Sequence, residues 1–369
     1  MKSVFTFSLK DWKQFLTEKN EKPFRAKQIL EWIYKKKFSS FDEMSNIPMG
    51  LREILKENFC ISALKVLEKY DSKKDPGTRK ILFQAEDSNW VESVLIPNTR
   101  DKFTICISSQ AGCIFACDFC ATGQNGFKRN LTLAEILSQV YKGSKGAYIS
   151  NIVFMGMGEP FLNPAVFEAL ERFCGKDYFD FSNRGITVST IGIPEGILKM
   201  AEFKQVKLAW SYHSSFEEKR KIIFPILSQK YSLKEIKKAL IEYQKQTRKR
   251  VTLEFLVLKD FNDFPDEADE LIKLAKELYF HLNLIPYNPH PFSQYQRPSA
   301  KDMERFKNYF SHTSMEVTIR NSKGSDIQGA CGQLAFTAAT GTAARQVGAA
   351  AEGAAGRGQQ QHACGAFVA

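Results

Sequence analysis

Apolar residues return every three or four positions through the first part of the chain. The segments 9–16, 25–34 and 50–56 show this spacing, and lysine or arginine occupies many of the positions between them. The pattern predicts a small basic helical domain over residues 1–60. These basic positions are explained equally well by an RNA-binding function and by an ordinary solvated surface.

Short extended runs replace the helical pattern over residues 61–100. The runs 80–84 and 90–96 have the composition of strands, and we expect the turn signal Asp75-Pro76-Gly77 to separate them in a β-hairpin connector. Glu92 lies within the second run, where a buried carboxylate is costly. Strand alternation alone places its side chain on the solvent face more often than in a polar cleft.

Strand-like and helix-like segments then alternate from residue 101 to residue 334. Repeated βα units predict an α/β fold with parallel strands, arranged as a barrel or as a doubly wound sheet. The predicted strands begin near Phe103, Ile149, Gly185, Val206, Val251, His281 and Met315, and helical runs between them include 133–141, 164–173, 233–246 and 265–278.

Composition narrows the class of protein. A chain of 369 residues with 43% hydrophobic content can bury a substantial core. The net charge of +11 favours a polyanionic partner, although a merely basic soluble protein has the same balance. No apolar run reaches the roughly 18 residues of a membrane span, and residues 1–13 lack a signal core. We therefore expect a cytoplasmic protein that does not span a membrane and has no framework of disulfide bonds.

Three of the eight cysteines, Cys113, Cys117 and Cys120, stand in a C-x₃-C-x₂-C spacing after a predicted strand. Closely spaced thiolates of this kind hold iron–sulfur clusters. Structural zinc sites usually need a second C-x₂-C pair or nearby histidines, which this region lacks. A four-iron cluster on three thiolates would keep one iron available for a small chelating ligand.

Further motifs lie in order around this spacing. They are Cys106-Ile107-Ser108-Ser109-Gln110, Ala121-Thr122-Gly123-Gln124, the segment 126–132, Gly156-Met157-Gly158-Glu159-Pro160 and Ala330-Cys331-Gly332-Gln333-Leu334. With them the chain, from about Ser8 to Leu334, closely resembles the RlmN/Cfr group of radical SAM RNA adenine methyltransferases. The resemblance implies a partial (β/α)₆ barrel over residues 101–334.

The resemblance also implies two cofactors. One [4Fe-4S] cluster per chain would be held by Cys113, Cys117 and Cys120, and two molecules of S-adenosylmethionine would be used per turnover. The residues that the resemblance implies for the S-adenosylmethionine pocket are Gly158, Glu159, Ser189, Ser211, Tyr212, His213 and Asn288.

Three residues take catalytic roles by the same resemblance. Cys331 would accept a methyl group from one S-adenosylmethionine, and a radical from the second would remove hydrogen from this S-methyl group, so that the carbon radical adds to adenine. Cys106 would take part in proton removal and attack the Cys331 sulfur, which leaves a disulfide for reduction by thiol exchange. Glu92 matches the proposed proton acceptor of the family.

The implied substrate is C2 of a specific adenine in the peptidyl-transferase region of 23S rRNA, and in some members also adenine 37 of tRNA. The Cfr branch methylates C8 and confers antibiotic resistance. Pro160 matches RlmN-like sequences, whereas Cfr-like sequences place alanine there. Two other classes remain open, a radical SAM maturase acting on protein and a non-catalytic RNA-binding or iron-sensing module. We also expect a monomer that takes electrons from a flavodoxin or a ferredoxin.

Two features depart from the family pattern. Tyr212 stands where the family often has leucine. Residues 335–369 are rich in alanine and glycine and lose the apolar pattern of the body, so the sequence predicts a disordered tail. The abrupt change of composition also fits out-of-frame translation or a fused extension, and under that hypothesis His362 and Cys364 are incidental.

Overall fold

A ten-stranded, mostly parallel sheet organises the protein. The computed structural model describes residues 1–98, 101–181 and 185–335, so the predicted tail, with His362 and Cys364, lies outside the described residues apart from Ala335. The strands are β1 (Lys2–Ser3), β2 (Phe59–Cys60), β3 (Lys65–Asp71), β4 (Arg79–Gln84), β5 (Trp90–Pro97), β6 (Lys102–Ile107), β7 (Gln110–Gly112), β8 (Phe127–Asn130), β9 (Tyr148–Phe154), β10 (Ile186–Thr190), β11 (Lys207–Ser211), β12 (Val251–Val257), β13 (Phe280–Pro286) and β14 (Val317–Ile319).

Helices fill most of the connections between these strands. Four of them, α1, α5, α10 and α12, begin at capping boxes in which a serine or threonine and an acidic residue three positions later satisfy each other's backbone N–H groups. The helices are α1 (Leu9–Glu18), α2 (Arg25–Glu31), α3 (Met49–Asn58), α4 (Ala121–Gln124), α5 (Leu133–Gly143), α6 (Ala165–Cys174), α7 (Pro194–Lys199), α8 (Glu217–Ile223), α9 (Leu227–Lys230), α10 (Leu233–Thr247), α11 (Pro265–Leu274) and α12 (Ala300–Asn308).

The strand order of the large sheet is β14-β13-β12-β11-β10-β9-β6-β5-β4-β3. All neighbours from β14 to β6 are parallel, and β5, β4 and β3 extend the sheet through three antiparallel pairings, β6 with β5, β5 with β4 and β4 with β3. The predicted α/β fold class is therefore confirmed, and the seven predicted strand starts each fall within three residues of an observed start. The barrel is incomplete, as predicted, because β14 and β3 form two free edges.

The C-terminal segment, residues 320–335, connects these two edges. The Gly324 N–H donates to Asp75 Oδ2 at 2.7 Å, and Asp326 accepts from Ser72 Oγ at 2.6 Å and from the Lys73 N–H at 2.8 Å. Asp75 and its neighbours form the turn between β3 and β4. The segment that carries Cys331 is thus tied to the far edge of the sheet.

The connector between the helical region and the parallel strands is more extensive than the sequence predicts. The two predicted runs are β4 and β5, and they pair as a hairpin. The position expected for Asp75-Pro76-Gly77 is wrong, because this turn lies between β4 and an additional strand, β3. The burial pattern of β3 explains the miss, since its residues are exposed or half-buried and give no apolar signal.

The three helices predicted near the N-terminus are α1, α2 and α3. An aromatic cluster packs α1 against β2 and the segment before α1, with ring centroids 4.7 Å apart between Trp12 and Phe59 and 5.1 Å apart between Phe7 and Trp12. Phe5 extends this packing to Tyr141 of α5 at 5.2 Å. In the described part of the chain, none of the helices has the length and apolar character needed to cross a bilayer.

Candidate active site

The cysteine loop follows β6 and is supported by its own small sheet. β7 and β8 pair antiparallel on either side of it, and the Cys113 N–H donates to the Gly126 carbonyl at 3.1 Å. Gly112 has φ +79°, and a Cβ there would lie 1.9 Å from the Gly126 oxygen. Only glycine fits where the backbones of β7 and β8 approach this closely. The position of Cys113 therefore depends on a local backbone requirement.

The three motif cysteines line one cavity of about 150 Å³. Burial raises the pKa of Cys113 to about 12 and the pKa of Cys117 well above its usual value, and the thiols raise one another's pKa further. Three thiolates together therefore need a cationic partner. Among the described residues, no three acidic, histidine or cysteine side chains converge on one metal ion. Closely spaced cysteine thiolates on one loop are the donor set that iron–sulfur clusters use.

Glu159 lies on the same cavity, directly after β9 in the chain. Its carboxylate accepts the Ile191 N–H at 3.0 Å and the Phe161 N–H at 3.2 Å. Burial raises the pKa of Glu159 to about 7 in spite of these hydrogen bonds. An ammonium group beside it would favour the charged carboxylate, so this corner suits the amino end of an amino-acid ligand.

Gly158 shapes the backbone beside Glu159. It has φ +93°, and an added Cβ would lie 2.4 Å from the Gln110 Cβ. Gln110 Oε1 accepts the Glu159 N–H at 2.9 Å. A larger residue at position 158 would displace Gln110 and remove the support of the Glu159 backbone.

We expect Gly158→Ala to weaken S-adenosylmethionine binding by roughly five- to 150-fold, because strain of about 1–3 kcal/mol would arise beside Glu159. Gly146→Ala is the matched control, since Gly146 has φ +83° but open space around its Cα. Equilibrium dialysis of the cluster-loaded variants under anaerobic conditions, together with chemical unfolding, measures both effects. Equal affinities in the two variants would contradict the prediction.

Ser189 and Ser211 stand at the carboxyl ends of β10 and β11 and line the cavity. Ser189 Oγ donates to Glu254 Oε2 at 2.8 Å and lies 3.4 Å from Ser211 Oγ. Glu254 Oε1 is 3.3 Å from Arg320 Nη1. The sequence analysis missed Glu254 and Arg320. The available signal was a carboxylate within the apolar strand 251–257, the same signal that singled out Glu92.

His213 also lines the cavity, with φ +59° and an imidazole buried between Phe119 and Phe224. Burial lowers its pKa to about 3, and Arg220 contributes to this shift. Nδ1 lies 3.0 Å from the Leu256 backbone nitrogen and 3.1 Å from the Glu254 carbonyl oxygen, so the backbone of β12 fixes the orientation of the ring.

Two residues predicted for this pocket are elsewhere in the structure. Tyr212 packs against Trp210 at 4.7 Å and lines an outer groove between α7 and α10. Asn288 is buried beside the C-terminal segment, where Nδ2 donates to the Cys331 carbonyl at 3.3 Å and Oδ1 accepts from Arg297 at 2.7 Å. Neither side chain is among those that line the cavity of the three cysteines.

Cys106 and Cys331 line a second cavity of about 140 Å³, which we call the two-thiol cavity. Cys331, Met155 and Leu334 line both cavities, so Cys331 stands at the boundary between them. All seven cysteines in the described ranges are free thiols. The structure therefore shows no Cys106–Cys331 disulfide, and the predicted bond stays a proposal for one stage of turnover.

Glu92 lies in the interior, which corrects the expectation from strand alternation alone. Its side chain is 0% exposed, and Lys80 Nζ lies 3.0 Å from Glu92 Oε1. Val94 pairs with Cys106 in the sheet, and Glu92 lies two positions from Val94, so Glu92 and Cys106 share one face of the sheet. Glu92 does not line the two-thiol cavity itself.

Family models match two regions of the chain. The model described as the ribosomal RNA large subunit methyltransferase N-terminal domain matches residues 3–61, and the model of the radical SAM superfamily matches residues 107–288.

Curated relatives match nearly the whole chain. A probable dual-specificity RNA methyltransferase RlmN from Clostridium novyi (strain NT) is 43% identical over 338 residues, which cover 90% of this chain and 98% of that protein. The corresponding protein of Thermotoga maritima is 40% identical and is covered to 97%. Among solved structures, a radical SAM methyltransferase from Sphaerobacter thermophilus superposes with a TM-score of 0.86 at 34% identity, covering 90% of this chain and 99% of that one.

Proposed function

The chain belongs to the RlmN family of radical SAM RNA methyltransferases, and from this premise we propose that it methylates C2 of a specific adenine in the peptidyl-transferase region of 23S rRNA. The dual specificity in the names of its relatives leads us to include adenine 37 of tRNA as a second substrate. The single observation that supports this reaction best is the cavity shared by Cys106 and Cys331.

The two competing classes do not account for that cavity. A maturase acting on protein would use the three-cysteine loop, and an iron-sensing module would use the loop and the basic surface. Neither needs two further thiols in a cavity that adjoins the first through Cys331 and Met155. A methyl carrier and a resolving thiol do need this arrangement.

We assign the cofactors to the residues that line the first cavity. Cys113, Cys117 and Cys120 would hold one [4Fe-4S] cluster, and the residues left for S-adenosylmethionine are Gly158, Glu159, Ser189, Ser211 and His213. Together the bound groups supply radical chemistry, which an adenine ring carbon requires because it is neither acidic nor nucleophilic. The family implies both cofactors, and their number and ligands are part of the proposal.

Cys331 is proposed to carry the methyl group between the two cavities. Its place at their boundary lets one sulfur face the cofactor side and the substrate side with only small movements. Asn288 holds the Cys331 carbonyl at 3.3 Å, and we assign this residue to positioning the Cys331 loop. Cys106 then acts as the resolving thiol, and Glu92, kept close to Lys80, acts as the proton acceptor.

The substrate adenine is proposed to enter the two-thiol cavity on the side that the C-terminal segment lines. A base must leave its stack to reach a buried site of this kind, and RNA loops supply unstacked bases. The polar residues that line the cavity, and could bind the edge of a base, are Asn98, Thr104, Asn321 and Ser322. Residues 1–60 contain ten lysines and two arginines against eight acidic residues, and this region is proposed to bind the surrounding RNA.

The remaining assignments follow from this function. We propose a cytoplasmic monomer that receives electrons from a flavodoxin or a ferredoxin. We also keep the predicted division into an RNA-binding domain (1–60), a connector (61–100) and a catalytic domain (101–334). Pro160 begins a short 3₁₀ turn directly after Glu159. A proline at this position, where Cfr-like sequences place alanine, is the family feature that favours C2 over C8.

The test is to map the product. Cluster-loaded protein is incubated anaerobically with S-adenosylmethionine, a reductant and either an rRNA fragment or tRNA, and the RNA is digested for mass spectrometry. We expect 2-methyladenosine with the rRNA fragment and with tRNA. Detection of 8-methyladenosine would contradict the assignment to C2, and unmodified RNA with a methylated peptide substrate would support the maturase instead.

A further inference from the structure

A half-buried arginine lines the cavity of the two thiols, and the function proposed above does not use it. Arg320 follows β14 and lines the two-thiol cavity together with Cys106 and Cys331. Its Nη1 lies 3.3 Å from Glu254 Oε1 and 3.5 Å from the Met155 sulfur. The guanidinium is therefore fixed in place by residues from β12 and from the end of β9.

Glu254 connects Arg320 to the other cavity. The same carboxylate accepts a hydrogen bond from Ser189 Oγ at 2.8 Å, and its own side chain is only 6% exposed. Two oxygens of one carboxylate thus bind a residue of the first cavity and the cation of the second. This arrangement leaves the remaining guanidinium N–H groups of Arg320 available to the two-thiol cavity.

A thiolate at Cys106 needs a nearby positive charge to stabilise it. Burial raises the pKa of Cys106 to about 12, the neighbouring Cys331 sulfur raises it further, and Arg320 opposes the rise. The other charged groups near Cys106 are Glu254, which disfavours a thiolate, Lys323, whose Nζ donates to the Pro97 carbonyl at 3.0 Å, and the Glu92–Lys80 pair on the same face of the sheet. Val94, Met157 and Leu334 pack with Cys106 in a small apolar cluster.

We propose that Arg320 is a positioning residue that provides the positive charge for the Cys106 thiolate in the product-releasing step. This inference rests on the proposed function, because it assigns a role within that reaction. Glu254 acts one contact further away, since it fixes the guanidinium and at the same time binds Ser189.

The product-releasing step is a displacement at sulfur. The Cys106 thiolate attacks Cys331 Sγ, its lone pair forms the S–S bond, and the bond between Cys331 Sγ and the substrate carbon breaks. The electron pair of that bond leaves with the carbon, which takes up a proton and becomes the new methyl group. The two sulfurs are oxidised to a disulfide, the carbon is reduced, and a dithiol reductant later regenerates the two thiols.

The test measures the lifetime of the covalent RNA adduct on Cys331. Wild type, Arg320→Met, Arg320→Lys and Cys106→Ser proteins, each cluster-loaded, undergo a single turnover with the rRNA fragment. Denaturing gels follow the adduct, and mass spectrometry follows methyl-Cys331. Arg305→Met is the matched control for the loss of one basic charge, because Arg305 forms only longer ion pairs, 3.5 Å to Asp263 and to Asp302, and is 55% exposed.

We expect the adduct in Arg320→Met to persist at least about tenfold longer than in wild type, since removing an opposite charge lowers the thiolate fraction by about that factor or more. Raising the pH should shorten its lifetime, whereas the Cys106→Ser adduct should not respond to pH. Arg320→Lys should recover part of the rate, and Arg305→Met should behave as wild type.

Three results would overturn the inference. They are wild-type adduct decay in Arg320→Met, an Arg320→Met adduct whose decay does not respond to pH, and loss of methyl-Cys331 without any adduct, which would place Arg320 at an earlier step. Failure of the proposed function is distinguishable, because the wild-type protein would then yield neither adduct nor methyladenosine.

Discussion

Replacing Cys331 by alanine is expected to lower methyl transfer to RNA by at least about 10³-fold, because the residue that carries the methyl group is then missing. The cluster and S-adenosylmethionine should still bind, since both are assigned to side chains other than Cys331. Anaerobic turnover with labelled S-adenosylmethionine measures the loss, and mass spectrometry of the wild-type protein should show a methyl group on Cys331.

Cys174→Ala is the control for this prediction. Cys174 ends α6 and is half-buried, away from both cavities. It should retain near wild-type activity. Substantial methyl transfer by Cys331→Ala would contradict the methyl-carrier role and would point to direct transfer from the cofactor to RNA.

Replacing Cys117 by alanine should remove the iron–sulfur cluster and, with it, essentially all activity, again a loss of at least about 10³-fold. Cys117 is buried and lies between the other two ligands in the loop. Two thiolates cannot satisfy a four-iron cluster at this site. Iron and sulfide analysis after anaerobic reconstitution, together with the visible absorption spectrum, measures the effect.

The matched control for this loss is Cys60→Ala, because Cys60 lies on β2, outside both cavities. Its iron content and turnover should equal those of wild type. Retention of iron after replacement of all three motif cysteines, or purification of the wild-type protein with zinc, would refute the cluster assignment.

The agreement between the sequence and the fold follows from short-range periodicity. Each predicted strand of the barrel appears in the sheet, because buried parallel strands bounded by helices with clear amphipathic spacing carry strong local signals. β3 was missed for the opposite reason. Its polar surface leaves no pattern, and only its pairing with β4 identifies it as a strand.

The residues of the candidate site likewise include some that the sequence predicts and some that it does not. That the three motif cysteines line one cavity could be predicted because they lie within eight residues, and the glycines that shape their loop are local requirements. Ser189 and Ser211 were found through the family resemblance and do line the cavity. Tyr212 was assigned to the same pocket, but its side chain packs outward, because alternate residues of an extended segment point to opposite faces.

By itself, the sequence determined the α/β fold class, the three-cysteine loop and the family, since spacing, periodicity and ordered motifs are properties of neighbouring residues. Only the tertiary structure decided which distant groups meet. Glu254 lies 65 residues from Ser189 and 66 from Arg320 along the chain, yet it binds both. Cys331 reaches the cavity of Cys106 because the C-terminal segment is hydrogen-bonded to the opposite edge of the sheet. Such contacts depend on how the sheet is closed, and no local pattern encodes that closure.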